Sequence, residues 1–199
     1  GFLSRLLADR FDHVIALDLE KPTIDDPRVE PVAGDASKLG FDRDSFDVVL
    51  CAEVLEHIPP RLLPTVCLEI ARVTTQVAVI GVPYRQDLRL GKTSCSTCGA
   101  TNPPWGHVNS FDEDALCRLF PSMAPAQVAF VGQTNEATNA FSSALMDYAG
   151  NPYGTYAQEE GCVSCGQRLL QPAPRTLMQR AATKAAHVAN RLQRAMTPH

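Results

Sequence analysis

No apolar run in this chain approaches the ~18–20 residues that a helix needs to cross a bilayer. Its opening residues, GFLSRLLADRF, carry charges throughout and read as a short amphipathic helix, not a signal peptide. From Gly161 to the end there is no Asp or Glu at all, so all 22 acidic residues lie before it. That last stretch carries Arg168, Arg175, Arg180, Lys184, Arg191 and Arg194, a basic appendage on an acidic body. The net charge of -4 argues against wholesale nucleic-acid binding, and RNA is not the expected partner. No internal repeat exists apart from two short cysteine knuckles.

What is present is enough for a packed core. At 199 residues the expectation is one main domain plus an appendage. Seven cysteines would suit an oxidised secreted protein, but four of them sit in two C-x-x-C-G knuckles. That pattern points to metal thiolates in a reducing compartment, and hence to a cytoplasmic protein.

Periodicity and turn residues give the element order. A helix is expected over residues 4–10 and a strand over 13–17 that stops at Asp18, with a second short strand over 29–32 running into Gly34-Asp35. The turn FDRDSFD feeds a buried strand over 46–51, and Pro59-Pro60 breaks the chain before a helix over 63–72, with Pro64 tolerated in its first turn. Residues 77–82 read as a continuous apolar strand of the doubly buried kind, stopped by Pro83. A loop rich in Gly, Cys, Thr and Pro follows over 84–109, then a helix over 112–120 with Ser110 as N-cap, and a strand over 127–132. Residues 134–160 read as an irregular excursion. After a linker at Pro172 and Pro174, residues 176–196 carry a helical stripe of Leu177, Ala181, Ala185, Val188 and Leu192. Alternating helices and buried strands predict an α/β fold with a doubly wound, mostly parallel sheet.

The densest signal is FDVVLCAEVLEHI, residues 46–58, a buried strand emptying into ionisable groups. Glu53, Glu56 and His57 stand three and four apart, so a helical turn would set them on one face. Charge at the end of a strand is what an open α/β enzyme places at its binding crevice. This segment resembles the fourth strand and following turn of a class I S-adenosylmethionine-dependent methyltransferase, with a Rossmann-like fold. The resemblance covers residues 1–133, which are expected to form the core, with a knuckle insertion over about 84–109. Residues 134–171 are the irregular segment with the second knuckle, and 172–199 the basic C-terminal helix.

The resemblance implies a cofactor site. Asp18, at the end of VIALD, matches the acidic residue that accepts hydrogen bonds from both ribose hydroxyls, with Leu19 beside it. A vicinal diol offers two donors, and a carboxylate can take both. Asp35, in Gly34-Asp35-Ala36, matches the residue that meets the adenine amino group. Cys51 and Ala52 would floor the pocket beneath the methionine moiety. An Asp after an apolar strand is more often a plain turn residue; the weight lies in the order and spacing of the set. The family's first strand and glycine-rich loop are missing from the chain as given, and Gly1 matches the last glycine of that loop.

Glu53-x-x-Glu56-His57 with a later His107, in WGHVNSF, is similar to the E-x-x-E-H motif of small-RNA ribose 2′-O-methyltransferases and ubiquinone-pathway O-methyltransferases. There the motif binds a divalent cation, and in the RNA enzymes a distant histidine completes the set. Two carboxylates and two imidazoles suit Mg²⁺, Mn²⁺ or a similar ion, with the nitrogens pulling away from pure Mg²⁺. Equally, such Glu and His residues line metal-free clefts in this superfamily, and then His57 or His107 becomes the general-base candidate.

Cys95-Ser-Thr-Cys98-Gly and Cys162-Val-Ser-Cys165-Gly are together a closed four-thiolate pattern, the signature of structural zinc. The alternatives are two local disulfides or a redox pair, which would need a thioredoxin-like context that the chain lacks. Cys51, Cys67 and Cys117 lie in apolar or helical contexts and read as inert core residues.

Three functions compete. The first is an O-methyltransferase acting on a hydroxyl of a small molecule, with a sugar or glycan favoured because a metal helps an unactivated alcohol most. The second is a metal-independent N- or C-methyltransferase of the same fold. The third is a non-catalytic protein that binds a partner through its zinc lobe and basic helix. That helix, its stripe mostly alanine, is expected to pack on the domain or on a second copy and not on a membrane.

Overall fold

A computed structural model describes residues 1–132, 138–150, 161–169 and 174–196. Most of residues 134–160 and the Pro172 linker lie outside the described residues. The chain divides into two compact units. One comprises Gly1–Ala52, Pro59–Gly81 and Ala115–Ala124; the other comprises Glu53–Ile58, Val82–Asp114 and Pro125–His199.

The first unit is α/β. Helix α1 (Phe2–Ala8) precedes two parallel strands, β1 (Val14–Asp18) and β2 (Val29–Ala33), which run in register from Val14 opposite Val29 to Asp18 opposite Ala33. Ala8, Val14 and Val29 form their small core, with Leu7, Ala16 and Ile24 packed on it. Strand β3 (Phe46–Ala52), helix α2 (Leu63–Val73) and strand β4 (Thr74–Gly81) follow, β3 and β4 again parallel, with Cys51 opposite Ile80 and Ala52 opposite Gly81. Helix α2 carries a proline in its first turn, where no backbone donor is lost. Its buried face is Leu63, Val66, Cys67, Ile70 and Val73, the three-and-four spacing of an amphipathic helix. Arg72 clamps the chain before β3 by donating to Phe41 O at 2.9 Å and Leu39 O at 3.1 Å, while Glu69 accepts its guanidinium and the Leu39 N–H.

The sheet differs from expectation. The four strands of this unit pair as two separate two-stranded parallel sheets, β1 with β2 and β3 with β4, and not as one continuous sheet. Strand β4 starts at Thr74, earlier than the apolar run suggested, because Thr74 leaves the helix in extended conformation while its Oγ1 still donates to Ile70 O at 2.7 Å. Nor is β4 buried on both faces: Val77 and Val79 are exposed, as is Leu50 on β3.

The second unit combines turns and short strands with the helix pair Ala140–Tyr148 and Leu177–Met196. The two-residue strands β5 (Thr93–Ser94) and β6 (Thr101–Asn102) pair antiparallel, followed by a 3₁₀ turn at Pro104–Gly106. Helix α3 (Glu113–Leu119) spans the boundary between the units and has no buried residue, so Cys117 is exposed and not the core residue expected. The strand expected over 127–132 is not formed; Val128, Phe130 and Val131 are exposed there. Helix α4 (Ala140–Tyr148), within the stretch read as irregular, packs on helix α5 (Leu177–Met196). Asn139 starts α4 through a reciprocal capping box with Ser142.

Candidate functional site

In the first unit the strand ends carry the residues assigned to the cofactor. Asp18 closes β1 and Asp35 follows β2, in adjacent parallel strands, with Gly34 N–H donating to Asp18 O at 2.8 Å. Asp18 Oδ1 accepts the Leu19 N–H at 2.7 Å and its carboxylate is exposed. Asp35 Oδ1 accepts the Ser37 N–H at 2.7 Å, and the Ser37 backbone and hydroxyl hold its carboxyl below the usual range. Ala36 follows directly and is half-buried. Cys51 and Ala52 close β3, both half-buried, and Gly1 stands at the N-cap of α1. Two exposed or half-exposed carboxylates at neighbouring strand ends are a chemically apt pair of acceptors for the donors of an adenosine.

In the second unit the segment 53–58 meets the loop 84–111. The expected helical turn is not helical. Glu53 has a positive φ of 55°, and the chain folds through turns in which His57 N–H donates to Val54 O at 3.0 Å. The consequence is a split. Leu55 and Glu56 are turned fully inward, whereas Glu53 is exposed.

Glu56, His57 and His107 come together, with one ligand atom from each lying within 4.8 Å of the others. The two imidazoles meet edge to face, their centroids 4.6 Å apart. Glu53 is not in this group. Glu56 is 0% exposed, and among the described residues neither carboxylate oxygen receives a hydrogen bond from a donor. Burial, with the Glu53 carboxylate adding to it, pushes its carboxyl up to about 7. A buried carboxylate without donors costs on the order of several kcal/mol unless a cation or proton compensates it. A carboxylate and two imidazoles are a donor set of the kind that divalent ions take.

Backbone and second residues set this geometry. Val108 and Asn109 N–H both donate to Glu56 O, at 2.7 and 3.2 Å. The Asn109 amide donates to Leu55 O at 2.8 Å and Ile58 O at 2.6 Å, so one side chain clasps the whole turn. Before it, Trp105 (φ 53°) and Gly106 (φ 70°) both stand in the left-handed region, and His107 N–H returns to Pro104 O at 2.9 Å. Gln86 Oε1 lies 2.5 Å from His107 Nδ1. Gln86 and Asn109 were not among the residues expected from sequence. Asn109 had a signal in its place two residues after His107; Gln86 had none.

The four knuckle cysteines also assemble. Cys95, Cys98, Cys162 and Cys165 place their sulfurs within 4.8 Å of one another, with 3.7 Å between Cys95 and Cys165 and 3.7 Å between Cys98 and Cys162. Tetrahedral thiolates around zinc stand about 3.8 Å apart. The knuckles are twins: Gly99 and Gly166, at φ 73° and 70°, donate back to Cys95 O and Cys162 O at 2.9 and 2.8 Å. Only glycine takes that conformation without strain. Backbone N–H groups, Ser164 foremost, draw the Cys162 thiol down to about 6, and those of Cys98 and Thr97 lower Cys95. Cys165 moves the other way: although the Gln167 N–H favours its thiolate, burial and the sulfurs of Cys98, Cys95 and Cys162 push it up to about 12. The four sulfurs form a donor set of the size that one tetrahedral cation would take. Asn102, buried, joins the two knuckles by donating to Thr93 O and Ala100 O and accepting the Val163 N–H at 2.8 Å.

Residues 1–80 match the family model described as a methyltransferase domain. No curated protein and no solved structure matches the chain. No helix of the described residues is long and apolar enough to cross a membrane.

Proposed function

We propose that this chain, whose residues 1–80 match a methyltransferase domain, is an S-adenosylmethionine-dependent, metal-assisted O-methyltransferase of small hydroxylated molecules. A sugar or glycan hydroxyl is the favoured acceptor. The observation that carries the proposal is Glu56: a fully buried carboxylate, both oxygens without hydrogen-bond donors among the described residues, set against His57 and His107.

On this reading Asp18 accepts the ribose hydroxyls, Asp35 the adenine amino group, and Cys51 and Ala52 floor the methionine end beside Leu19 and Ala36, with Gly1 at the entrance. The cofactor supplies a sulfonium-bound methyl that is already a strong electrophile. Glu56, His57 and His107 would hold Mn²⁺, Mg²⁺ or a similar ion, which when bound lowers the pKa of an acceptor hydroxyl and fixes its oxygen. Two imidazoles in three ligands favour Mn²⁺ over Mg²⁺. Glu53, exposed and close enough to raise Glu56, is the carboxylate left to take the hydroxyl proton. The S–CH₃ bond breaks as the O–CH₃ bond forms, releasing S-adenosylhomocysteine and one proton. Cys95, Cys98, Cys162 and Cys165 hold a structural zinc, and thiols with this role belong to a reducing compartment such as the cytoplasm.

The test is calorimetric. S-adenosylhomocysteine should bind the parent, and D18A should weaken it by on the order of tenfold to a hundredfold. Mn²⁺ should bind the parent and not E56Q, and methyl transfer to hydroxylated acceptors should stop on chelation of the weaker metal. Turnover that survives chelation with E56Q fully active would select the metal-independent N- or C-methyltransferase, with His107 or His57 as base. Absence of cofactor binding by a folded protein would select the partner-binding scaffold.

A further inference from the structure

Helix α5 does not bury the stripe that its sequence advertises. Its packed face is Ala182, Ala186 and Asn190, one residue per turn against α4. Polar pins fix that rotation at both ends: Gln179 donates to Tyr148 O at 3.4 Å, and Gln193 accepts from the Asn139 amide at 2.5 Å. A capping box between Thr176 and Gln179 sets the first turn. The large apolar side chains are therefore turned outward, with Leu177 82%, Val188 55%, Leu192 61% and Met196 80% exposed. At 3.6 residues per turn these, with Ala181 and Ala185, occupy one continuous sector. Arg180, Lys184, Arg191 and Arg194, all exposed, occupy the sector alongside it.

From this juxtaposition we propose that the exposed face of α5 docks on an anionic phospholipid surface, lying in the plane of the headgroups. The stripe would enter the acyl boundary while the four neighbouring cations meet lipid phosphates. Charge decides the occupant. A second copy could cover the apolar stripe, but its α5 offers no carboxylate to the cations, whereas an anionic bilayer satisfies stripe and cations together. The proposal departs from the expectation that this stripe packs on the domain or on a second copy: Ala181 and Ala185 of the stripe stay exposed, while Ala182 and Ala186, outside it, are the alanines that pack on α4.

The experiment is co-sedimentation of the full chain with vesicles of phosphatidylcholine alone or with phosphatidylglycerol added. The expected result is binding to the anionic vesicles only, weakened by high salt. V188E/L192E, which alters exposed positions and leaves the packed face intact, should lower partitioning by on the order of tenfold or more, and K184E/R191E should do likewise. Circular dichroism establishes that each variant keeps its helix, and L192W should shift its emission to the blue with anionic vesicles. No binding to either vesicle, or binding untouched by V188E/L192E, overturns the proposal. So does a dimer in lipid-free solution that V188E/L192E dissociates while vesicles leave it unaffected; the face would then belong to a second copy.

Discussion

Gln86 Oε1 accepts from His107 Nδ1 across 2.5 Å, which fixes the histidine's tautomer and leaves the ring's lone pair on Nε2. The glutamine is itself held: Ser110 Oγ donates to Gln86 O at 2.8 Å, and the preceding Arg85 N–H donates to Phe111 O at 2.7 Å. A ligand histidine oriented by its second nitrogen is a recurring arrangement at metal centres.

Replacing Gln86 should therefore act through His107. Q86L is expected to weaken Mn²⁺ binding by about tenfold to a hundredfold, whereas Q86E, which keeps an acceptor, should retain most of it. Titration calorimetry on both variants checks this. Equal affinities for Q86L and the parent would remove Gln86 from any positioning role.

Glu56 predicts a conflict between stability and function. In metal-free protein, E56Q removes a buried ionisable group without donors and should raise unfolding free energy by on the order of 1 kcal/mol. Metal binding and methyl transfer should be lost in the same variant. Denaturant titration with and without Mn²⁺ shows both, because the metal should stabilise only the parent.

The knuckles predict stoichiometric zinc. Protein prepared without chelator should carry one zinc per chain by elemental analysis, and C162S should lose it. Because residues 103–106 lead directly from β6 to His107, zinc loss should also lower Mn²⁺ affinity at the second site. An unchanged Mn²⁺ titration in zinc-free protein would show that the lobe does not set that loop.

Asp87 gives a pH dependence with a definite sign. Burial raises its carboxyl, but hydrogen bonds from Arg89 and Thr138 outweigh it and bring the pKa down from 3.8 to about 2. A depressed folded pKa stabilises above the unfolded value and is lost as pH falls through the folded one. D87N should thus cost about 1–2 kcal/mol near neutrality, discounted for the exposure of Arg89, and the difference should close between about pH 4 and pH 2.

Strands β1, β2 and β3 were legible because short apolar runs end at turn residues, Asp18, Gly34 and Glu53. The same logic failed over 127–132, where Val128, Phe130 and Val131 alternate like a strand yet find no described strand to pair with. Helix α4 was hidden because its only strong local signal is the Asn139–Ser142 box, set among residues that suggest turns. Helix α5 was legible as a helix, but periodicity cannot say which face packs, and glutamine pins chose the face with alanines. At the site, the structure brings Glu56, His57 and His107 together but not in the helical geometry the spacing suggested. Spacing placed Glu53 with Glu56, whereas the positive φ at Glu53 turned it outward and left Glu56 with the two histidines.

The knuckle cysteines that approach to 3.7 Å are 70 and 64 residues apart along the chain. Closing a loop of that length costs about 4 kcal/mol of chain entropy, more than two small hairpins recover. With zinc the balance inverts, since four thiolates bind it with about 10–16 kcal/mol. With zinc bound as proposed, the first knuckle would wait, open and reduced, until Cys165 has left the ribosome, and metal supply would set the moment at which this lobe closes.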